Sequence, residues 1–496
     1  MLQEKIRAIG GVLGVLLMVL SALMLLPLII SIIEGESSAM IYGYAATIVF
    51  GGVCGYLLRL GGSDEIHIDV GVSMILCSLG WMTASLLVSL PFVIGMGMGF
   101  LDAYFEVVSG FTTTGMTLLQ GLENLPVSLL FLRSFVQWLG GLGILSFFLL
   151  ITFRNRGSAW KLFEAEAHKA STSRPVPNLL RTIKILWGIY IGLTLLQVLL
   201  LAIAGLSLFD AALHSMTTIS TGGFSRYGAS IAHYSQVKHP NYRLIEYIFC
   251  MFMFLGGMNF LMHYKLIQKD WSEVLSNVEF RAYCKLIFAF TVMTVVSIFI
   301  VQNLPTNVHQ LESAIRTGLF QVLAILTTTG FETQSIISSY FPAFARQLFL
   351  IIMLIGGCVG STAGGFKVFR AVIIKRLFGR QIKSLALPRR AVTPLTIERR
   401  QIHWEDVYHI GGLFFAWLVL ILSGGLITSL FSSHGVAESI SGMFSAVNNI
   451  GPSFITVEQM TQIHPVVKVT YIVGMLAGRL EIIPIIALFR LDVWKS

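Results

Sequence analysis

Charge is scarce in this sequence of 496 residues. Asp, Glu, Lys and Arg together make up 12% of it, whereas hydrophobic residues make up 55% and the mean hydropathy is +0.79. A soluble chain carries about twice that share of charged residues. Apolar runs of about 20 residues recur along the chain, and such runs can cross a hydrocarbon core of about 30 Å. The composition therefore excludes an ordinary soluble protein and indicates a polytopic helical membrane protein.

Paired cysteines and catalytic motifs are also missing. The five cysteines lie in apolar surroundings without CxxC spacing, which predicts small buried side chains and no disulfide or metal site. The sequence contains no HExxH, no GxSxG and no strand-linked GxGxxG motif. We therefore predict no enzyme, no catalytic residue and no cofactor on this chain. Any sensing of nucleotides is expected on another polypeptide.

The net charge of +9 is unevenly placed, which argues for membrane topology rather than nucleic-acid binding. With the N-terminus in the cytoplasm, 26 of the 34 Lys and Arg residues fall on the inner side, and the outer loops are mostly acidic. This positive-inside bias predicts an integral protein of the bacterial cytoplasmic (inner) membrane with both termini cytoplasmic. The first apolar run is too long for a cleaved signal peptide. Ten membrane helices are predicted, at about 9–33, 39–59, 70–95, 127–152, 183–205, 243–264, 283–302, 346–377, 407–430 and 465–490.

Polar, helix-breaking loops follow four of the apolar segments, all on the predicted outer side. They read "GFTTTGMT" (110–117), "TISTGGFS" (218–225), "AILTTTGFET" (324–333) and "VNNIGPS" (447–453). Thr restricts χ1 and Gly costs about 1 kcal/mol relative to Ala in a helix, so these segments are poor helix formers. A short helical pattern precedes each loop, at 102–111, 209–217, 311–325 and 438–447. An acidic residue stands where an N-cap or first-turn acid belongs in each: Asp102, Asp210, Glu312 and Glu438.

The unit of long helix, short re-entrant helix, polar loop and second long helix occurs four times. Gly115, Gly222, Gly330 and Gly451 are spaced by 107, 108 and 121 residues, as in an internal repeat. The predicted fold class is therefore an all-α polytopic membrane protein with four helix–pore-loop–helix repeats around a pseudo-fourfold pore. Two extra N-terminal membrane helices precede the repeats. The predicted boundaries are 1–65 for that helix pair, then 66–157, 178–268, 280–380 (with a broken second helix) and 401–496.

Four such loops around one axis have a chemical use. Non-helical backbone at membrane depth is tolerated only where it is buried in protein or lines a watery cavity. A ring of backbone carbonyls can replace the hydration shell of a cation, and glycine leaves the axis open. The candidate ion-binding residues, forming a selectivity filter for K⁺, are Thr113, Thr114, Gly115, Ser220, Thr221, Gly222, Thr328, Thr329, Gly330, Asn449, Ile450 and Gly451.

These loops, with "GGCVGSTAGGFKVFR" (356–370) and "GRLEIIP" (478–484), resemble the Trk/Ktr/HKT superfamily of potassium transporters, and the N-terminal pair resembles its TrkH branch. The resemblance covers essentially the whole chain. It implies a potassium-translocating subunit that forms a homodimer and associates with a TrkA-type cytosolic nucleotide-binding regulatory subunit. In this superfamily a Ser at the first selectivity position accompanies sodium transport, so Gly115 favours potassium. The fourth loop, with Asn448–Asn449–Ile450, implies a quasi-symmetric ring.

Two further features are predicted to control the pathway. The segment 355–367 interrupts an apolar run with five glycines but lacks the Gly-Lys-Ser/Thr of a phosphate loop. We interpret it as a gate below the filter; the alternative is a helix kinked for packing. Arg479 lies deep in a membrane helix, where a charge needs a partner or a watery cavity. It is predicted to face the pore; the alternative is pairing with Glu481, Glu106 or a helix end in a purely structural role. The gate residues are Gly356, Gly357, Gly360, Ser361, Thr362, Gly364, Gly365 and Arg479.

The basic stretch at 375–400 and the transport mechanism leave alternatives open. The stretch suits anionic membrane lipid, a docking surface for the cytosolic partner, or both. The leading functional hypothesis is channel-like potassium uptake. The second is a secondary transporter coupled to H⁺ or Na⁺, that is, a symporter with broken helices at the midplane.

Overall fold

The fold is built almost entirely from α-helices that form one large apolar core, with two smaller apolar clusters beside it. The structure, a computed structural model, describes residues 2–62, 70–143, 179–302, 307–386, 388, 395–397, 400–402 and 404–495. Strand within these residues is limited to Thr396–Ile397, which pairs antiparallel with Arg400–Gln401. The predicted fold class, an all-α polytopic membrane protein, is confirmed.

Three helices precede the repeated units: Leu2–Leu23, Leu25–Ile33 and Ser38–Leu60. The first and third cross at glycines, because a Cβ on Gly14 would lie 2.5 Å from the carbonyl oxygen of Gly55. A Cβ on Gly55 would in turn lie 2.6 Å from the carbonyl oxygen of Gly14. Small residues of this kind let membrane helices pack with their backbones close together.

Four similar units follow. The first long helix of each unit is Val70–Val88 continued by Leu90–Met96, Leu179–Ile203, Val278–Gln302 and Trp404–Phe431. The short helices, here called re-entrant helices 1 to 4, are Phe100–Phe111, Leu208–Ile219, Val308–Leu326 and Val436–Asn448. The second helices are Val127–Gly141, Tyr242–Gly257 with Phe260–Ile267, Ala343–Leu354 with Val368–Leu385, and Pro465–Leu480 with Ile483–Phe489. Short peripheral helices are Leu122–Asn124, Ala232–Gln236, Trp271–Ser276, Val457–Thr461 and Leu491–Lys495.

The ten predicted membrane helices can be compared with these bounds. In the described parts of the chain, six helices are long and apolar enough to cross a membrane, and two bent pairs raise that number to eight. The two remaining predictions are 127–152, whose end lies outside the described residues, and 346–377, which a loop at 355–367 divides. Basic residues predicted on the inner side at 154–178 also lie outside the described residues.

Two of the second helices are bent sharply at a break within the predicted span. Tyr242–Gly257 and Phe260–Ile267 meet at 103°, because the Asn259 side chain accepts a hydrogen bond from the Leu261 N–H and starts a new helix. Pro465–Leu480 and Ile483–Phe489 meet at 117°, where Glu481 and Ile482 have φ of 66° and 63°. The membrane helices predicted at 243–264 and 465–490 correspond to these two bent pairs, and hydropathy alone did not show where the backbone turns inside them.

The re-entrant helices occur where the sequence predicted them, with one correction at the start of the third. Asp102, Asp210 and Glu438 lie in first turns. Glu312 does not, because that helix begins at Val308 and is capped by Asn307, whose side chain accepts from the Gln310 N–H. Glu312 instead pairs with Arg316 at 2.8 Å.

The four units close into a cycle. Each second helix packs against the re-entrant helix of the next unit, and that of the fourth packs against re-entrant helix 1. The four re-entrant helices therefore surround one central axis, and their carboxyl ends lead directly into the four polar loops.

Candidate ion pathway

The four polar loops share one backbone conformation. Each contains a left-handed residue one or two positions after the end of its re-entrant helix, with φ of 55°, 52°, 56° and 54° at Thr113, Thr221, Thr328 and Asn449. Two residues later each has a glycine with positive φ: 81°, 76°, 79° and 101° at Gly115, Gly223, Gly330 and Gly451. Glycine adopts such angles without the Cβ penalty that other residues meet.

This conformation corrects the alignment of the second loop. The sequence spacing had placed Gly222 with Gly115, Gly330 and Gly451, but the structure places Gly223 at that position. Gly222 corresponds instead to Thr114, Thr329 and Ile450. In a loop with two adjacent glycines, spacing could not distinguish them; the backbone angles do.

The loops form a closed ring, as the space around their glycines shows. A Cβ on Gly115 would overlap the carbonyl oxygen of Gly222 in the next loop. In the same way Gly223 faces the carbonyl of Thr329, and Gly330 faces that of Ile450. The ring closes where a Cβ on Gly451 would lie 2.9 Å from the carbonyl oxygen of Thr114. Each loop thus contributes one glycine and one neighbouring carbonyl to a continuous contact around the axis.

Hydroxyl and amide groups brace the ring from behind. The hydroxyl pairs Thr112–Thr114 and Thr327–Thr329 are each 2.7 Å apart. Asn449 Nδ2 donates to Thr114 Oγ1 at 2.9 Å and so joins the fourth loop to the first. All of these side chains are fully buried, so their hydrogen bonds within and between the loops form without competition from water.

The field at the ring favours cations. Each re-entrant helix ends one or two residues before its left-handed residue; the last helical residues are Phe111, Ile219, Leu326 and Asn448. The carboxyl end of a helix carries the equivalent of roughly half a negative charge. Four such ends, together with the ring carbonyls, form a site suited to a small dehydrated cation.

A cavity of about 520 Å³ lies against one side of the ring. Its lining includes the four positive-φ glycines, Gly115, Gly223, Gly330 and Gly451. The charged residues among its described lining are Arg133 and Glu332. In the predicted topology this is the outer side, so we name the cavity the vestibule.

Glu332 places a titratable carboxyl two residues after a ring glycine. Its Oε1 accepts a hydrogen bond from the Ile336 N–H at 3.3 Å, and its own N–H donates to Ser230 Oγ at 3.2 Å. Desolvation by the surrounding loops raises the pKa of Glu332 to about 7, against the smaller opposing effect of the Ile336 hydrogen bond. Its charge therefore changes within the physiological pH range.

On the other side of the ring lies the glycine-rich segment 355–367. Gly364 N–H donates to Thr328 Oγ1 at 2.7 Å, so the segment touches the third loop directly. Thr362 Oγ1 donates to the carbonyls of Ile219 and Gly256 at 2.9 and 3.1 Å. In this structure the segment is non-helical and is held against the ring by these hydrogen bonds; we name it the plug. The predicted gate residues at 356–365 all lie in it.

Arg479 joins this plug to the first unit. Its guanidinium donates to the carbonyl of Thr362 at 2.7 Å and to those of Gly140 and Gly141 at 2.7 and 2.6 Å. It also lies 3.3 Å from Thr113 Oγ1 of the first loop. The sequence did not predict that Arg479 would contact the glycine-rich segment.

Of the structural partners considered for Arg479, a helix end is present, because Gly140 and Gly141 end the helix Val127–Gly141. The two acids that were considered form ion pairs with other residues. Glu481 pairs with Arg370 at 2.6 Å. Glu106 pairs with Arg133 at 2.9 Å, both nearly inaccessible to solvent. The Glu106–Arg133 pair contacts both of the first two loops. Thr117 Oγ1 of loop 1 donates to Glu106, and Arg133 donates to the Ser225 carbonyl of loop 2 at 3.3 Å. Sequence reasoning had no signal for this pairing, because the two residues are 27 positions apart on different helices.

Comparison with known proteins agrees with this architecture. The family described as "TrkH: Cation transport protein" matches residues 36–493. The chain is 30% identical to the Trk system potassium uptake protein TrkH of Escherichia coli K12, over 99% of both chains. It is 31% identical to an uncharacterized cation transporter of Methanocaldococcus jannaschii, over 100% of this chain and 97% of that protein. These relatives are transporters, in line with the absence of enzyme motifs.

A solved structure has the same fold. The crystal structure of the potassium transporter TrkH from Vibrio parahaemolyticus superimposes with a TM-score of 0.86 at 28% identity. The match covers 98% of this chain and 99% of that one. The cyclic arrangement of four units described above is therefore shared with a protein of known structure over nearly its full length.

Proposed function

Because this chain belongs to the TrkH family of cation transport proteins, we propose that it carries potassium into the cell through the ring of four loops. The family match covers nearly the whole chain, and the E. coli relative is named a potassium uptake protein. The ring lies between the vestibule and the glycine-rich segment, which gives an ion a path from one side of the ring to the other.

The observation that carries the proposal is the closed contact of each loop glycine with a carbonyl of the next loop. Carbonyl oxygens in a ring can take the place of water around K⁺. The ion-binding residues proposed are those predicted from the sequence, with Gly223 added to Ser220, Thr221 and Gly222 of the second loop.

The glycine-rich segment and Arg479 form the proposed gate. The segment blocks the axis below the ring and Arg479 fastens it to the first unit through hydrogen bonds to backbone carbonyls. Opening would require those bonds to break together. Glycines supply the backbone freedom for such a movement.

The surroundings complete the proposal. We place the protein in the cytoplasmic membrane of a bacterium with both termini inside, as a homodimer, in contact with membrane lipid and a TrkA-type cytosolic regulatory subunit. "Trk system" in the relatives' names is consistent with a multi-component assembly. The basic stretch that begins at Lys375 is the candidate contact for lipid or partner.

The test is ion flux through the purified protein in liposomes, with K⁺ and Na⁺ compared and with or without an imposed proton gradient. We expect K⁺ flux well above Na⁺ flux without the gradient. Gly115→Ser should fold and lose much of that discrimination, because an added side chain meets the Gly222 carbonyl. Gly188→Ser, at a helix glycine with open space around it, is the matched control. Flux that requires the proton gradient would favour the symport alternative, and unchanged selectivity in Gly115→Ser would refute the filter assignment.

A further inference from the structure

One carbonyl of the ring is held by a side chain outside all four loops. Gln137, fully buried on the second helix of the first unit, donates from Nε2 to the carbonyl oxygen of Gly222 at 2.7 Å. Its Oε1 accepts from the Phe224 N–H at 3.0 Å. The amide therefore bridges the two residues that flank Gly223 and fixes the peptide planes on both sides of that ring glycine.

The other units have no amide at the corresponding position. The second helices share the patterns "QWLGG", "MFLGG", "MLIGG" and "MLAGR", which begin at Gln137, Met253, Met353 and Met475. The structure supports this alignment, because Gly140 and Gly478 approach the carbonyls of Phe111 and Val447, each at the end of a re-entrant helix. Methionine has no strong hydrogen-bond donor. The first unit is thus the exception among four.

The second loop shows the complementary exception. Where loops 1, 3 and 4 have Thr114, Thr329 and Ile450, loop 2 has Gly222. A Cβ on Gly222 would overlap the side-chain amide of Gln137. The Gln137 amide therefore occupies the space beside loop 2 that a branched side chain of the loop itself fills in loops 1, 3 and 4.

This complementary pairing occurs between neighbouring units, as the cyclic packing requires. Gly141 of the first unit faces Ser220 of loop 2, and Gly257 of the second unit faces Thr327 of loop 3. Each second helix accordingly lies behind the loop of the following unit. By this equivalence, Met253 occupies the position behind Thr329 that Gln137 occupies behind Gly222. Met353 occupies the same position behind Ile450.

We propose that Gln137 is a positioning residue for the ring: it holds the Gly222 carbonyl at the orientation that distinguishes K⁺ from Na⁺. The inference rests on the proposed function. A carbonyl oxygen has two lone pairs, so it can accept from Gln137 and still coordinate an ion. Without the donor, this carbonyl can rotate toward the axis and coordinate the smaller Na⁺ more closely.

The test compares Gln137→Met with wild type in the liposome flux assay. Gln137→Met gives the first unit the residue of the other three and removes one neutral hydrogen bond. We expect a roughly twofold to tenfold lower ratio of K⁺ to Na⁺ flux, the range that corresponds to one such bond. Gln197→Met is the matched control, because Gln197 is equally buried and its amide atoms have no hydrogen-bond partner among the described residues. It should retain the wild-type ratio.

A second variant keeps the test decisive if Gln137→Met folds poorly. Gly222→Thr alone should be strongly destabilised by its overlap with Gln137, whereas Gln137→Met/Gly222→Thr recreates the pairing of the other units and should be more stable than Gly222→Thr. A folded Gln137→Met with wild-type selectivity overturns the proposal. The proposal is also overturned if the stability changes of Gln137→Met and Gly222→Thr simply add up in the double variant. Failure of the proposed function would appear differently, as a wild-type protein that does not select K⁺ in the same vesicles.

Discussion

Replacing Arg479 by Ala tests the proposed gate most directly. The guanidinium makes hydrogen bonds to the carbonyls of Thr362, Gly140 and Gly141, so it holds the glycine-rich segment against the first unit. It also brings a permanent positive charge to the lower side of the ring, since an arginine stays protonated at any physiological pH. Both effects oppose the passage of K⁺, and alanine removes both.

The size of the effect follows from these two contributions. Two unit charges about 6 Å apart repel by roughly 3 kcal/mol at an effective dielectric constant of about 20. Each 1.4 kcal/mol of barrier is about tenfold in rate. Loss of the hydrogen bond from the charged guanidinium to the Thr362 carbonyl of the plug, at about 1.5–3 kcal/mol, lowers the cost of opening further. We expect Arg479→Ala to raise K⁺ flux at least tenfold.

The assay is K⁺ flux into liposomes containing purified protein, normalised to folded protein by size exclusion and thermal melting. Arg479→Lys keeps the charge but loses the multiple planar contacts of the guanidinium, so its flux should lie between wild type and Arg479→Ala. Arg316→Gln is the matched control, because Arg316 is a similarly buried arginine paired with Glu246 away from the plug. Its loss should cost stability without raising flux.

A purely structural role gives the opposite sign. Loss of the guanidinium would leave the carbonyls of Thr362, Gly140 and Gly141 without this donor. It would destabilise the protein by roughly 1–3 kcal/mol for each carbonyl left unsatisfied and lower the flux. If Arg479→Ala is well folded and conducts no faster than wild type, the barrier role of Arg479 is refuted.

Other predictions concern the plug and the vestibule. Deletion of 358–363 removes the residues between Gly357 and Gly364 and should raise K⁺ flux and weaken its dependence on a regulatory partner; a folded deletion that conducts no faster would return the segment to a packing role. With the pKa of Glu332 at about 7, its carboxyl is mostly ionised at an outer pH of 8 and mostly neutral at pH 6. Flux should therefore fall roughly twofold on acidification, which corresponds to about 0.4 kcal/mol of lost attraction for the cation. Glu332→Gln should be insensitive to pH over that range, and an unchanged pH profile in this variant would contradict the role of the vestibule carboxyl.

Local sequence signals predicted most of the helical architecture. Runs of about 20 apolar residues and the breaks at TTTG-like loops need no tertiary information, because each reflects the cost of polar backbone in lipid. The four re-entrant helices and the division of the third unit's second helix at 355–367 appear in the structure where the sequence indicated. The boundaries of the repeats and the role of the loop residues stay predictions.

The errors arose where two residues of similar local character compete for one position. Gly222 and Gly223 are equally flexible, and only contact with Thr329 and Gln137 determines which of them takes the positive φ. The bends after Gly257 and Leu480 depend in the same way on how these helix ends pack against neighbouring segments.

Composition, hydropathy and the fourfold spacing of loops were sufficient to identify a polytopic membrane protein with a candidate cation ring, because those properties act within a few residues or over one helix length. Tertiary contacts decided the rest. Residues 85 or more positions apart are joined by the closure of the ring, by the hydrogen bonds of Arg479 to Thr362 and Gly140, and by the hydrogen bond of Gln137 to Gly222. Such partners are set by the packing of whole helices around the axis, which no local pattern encodes.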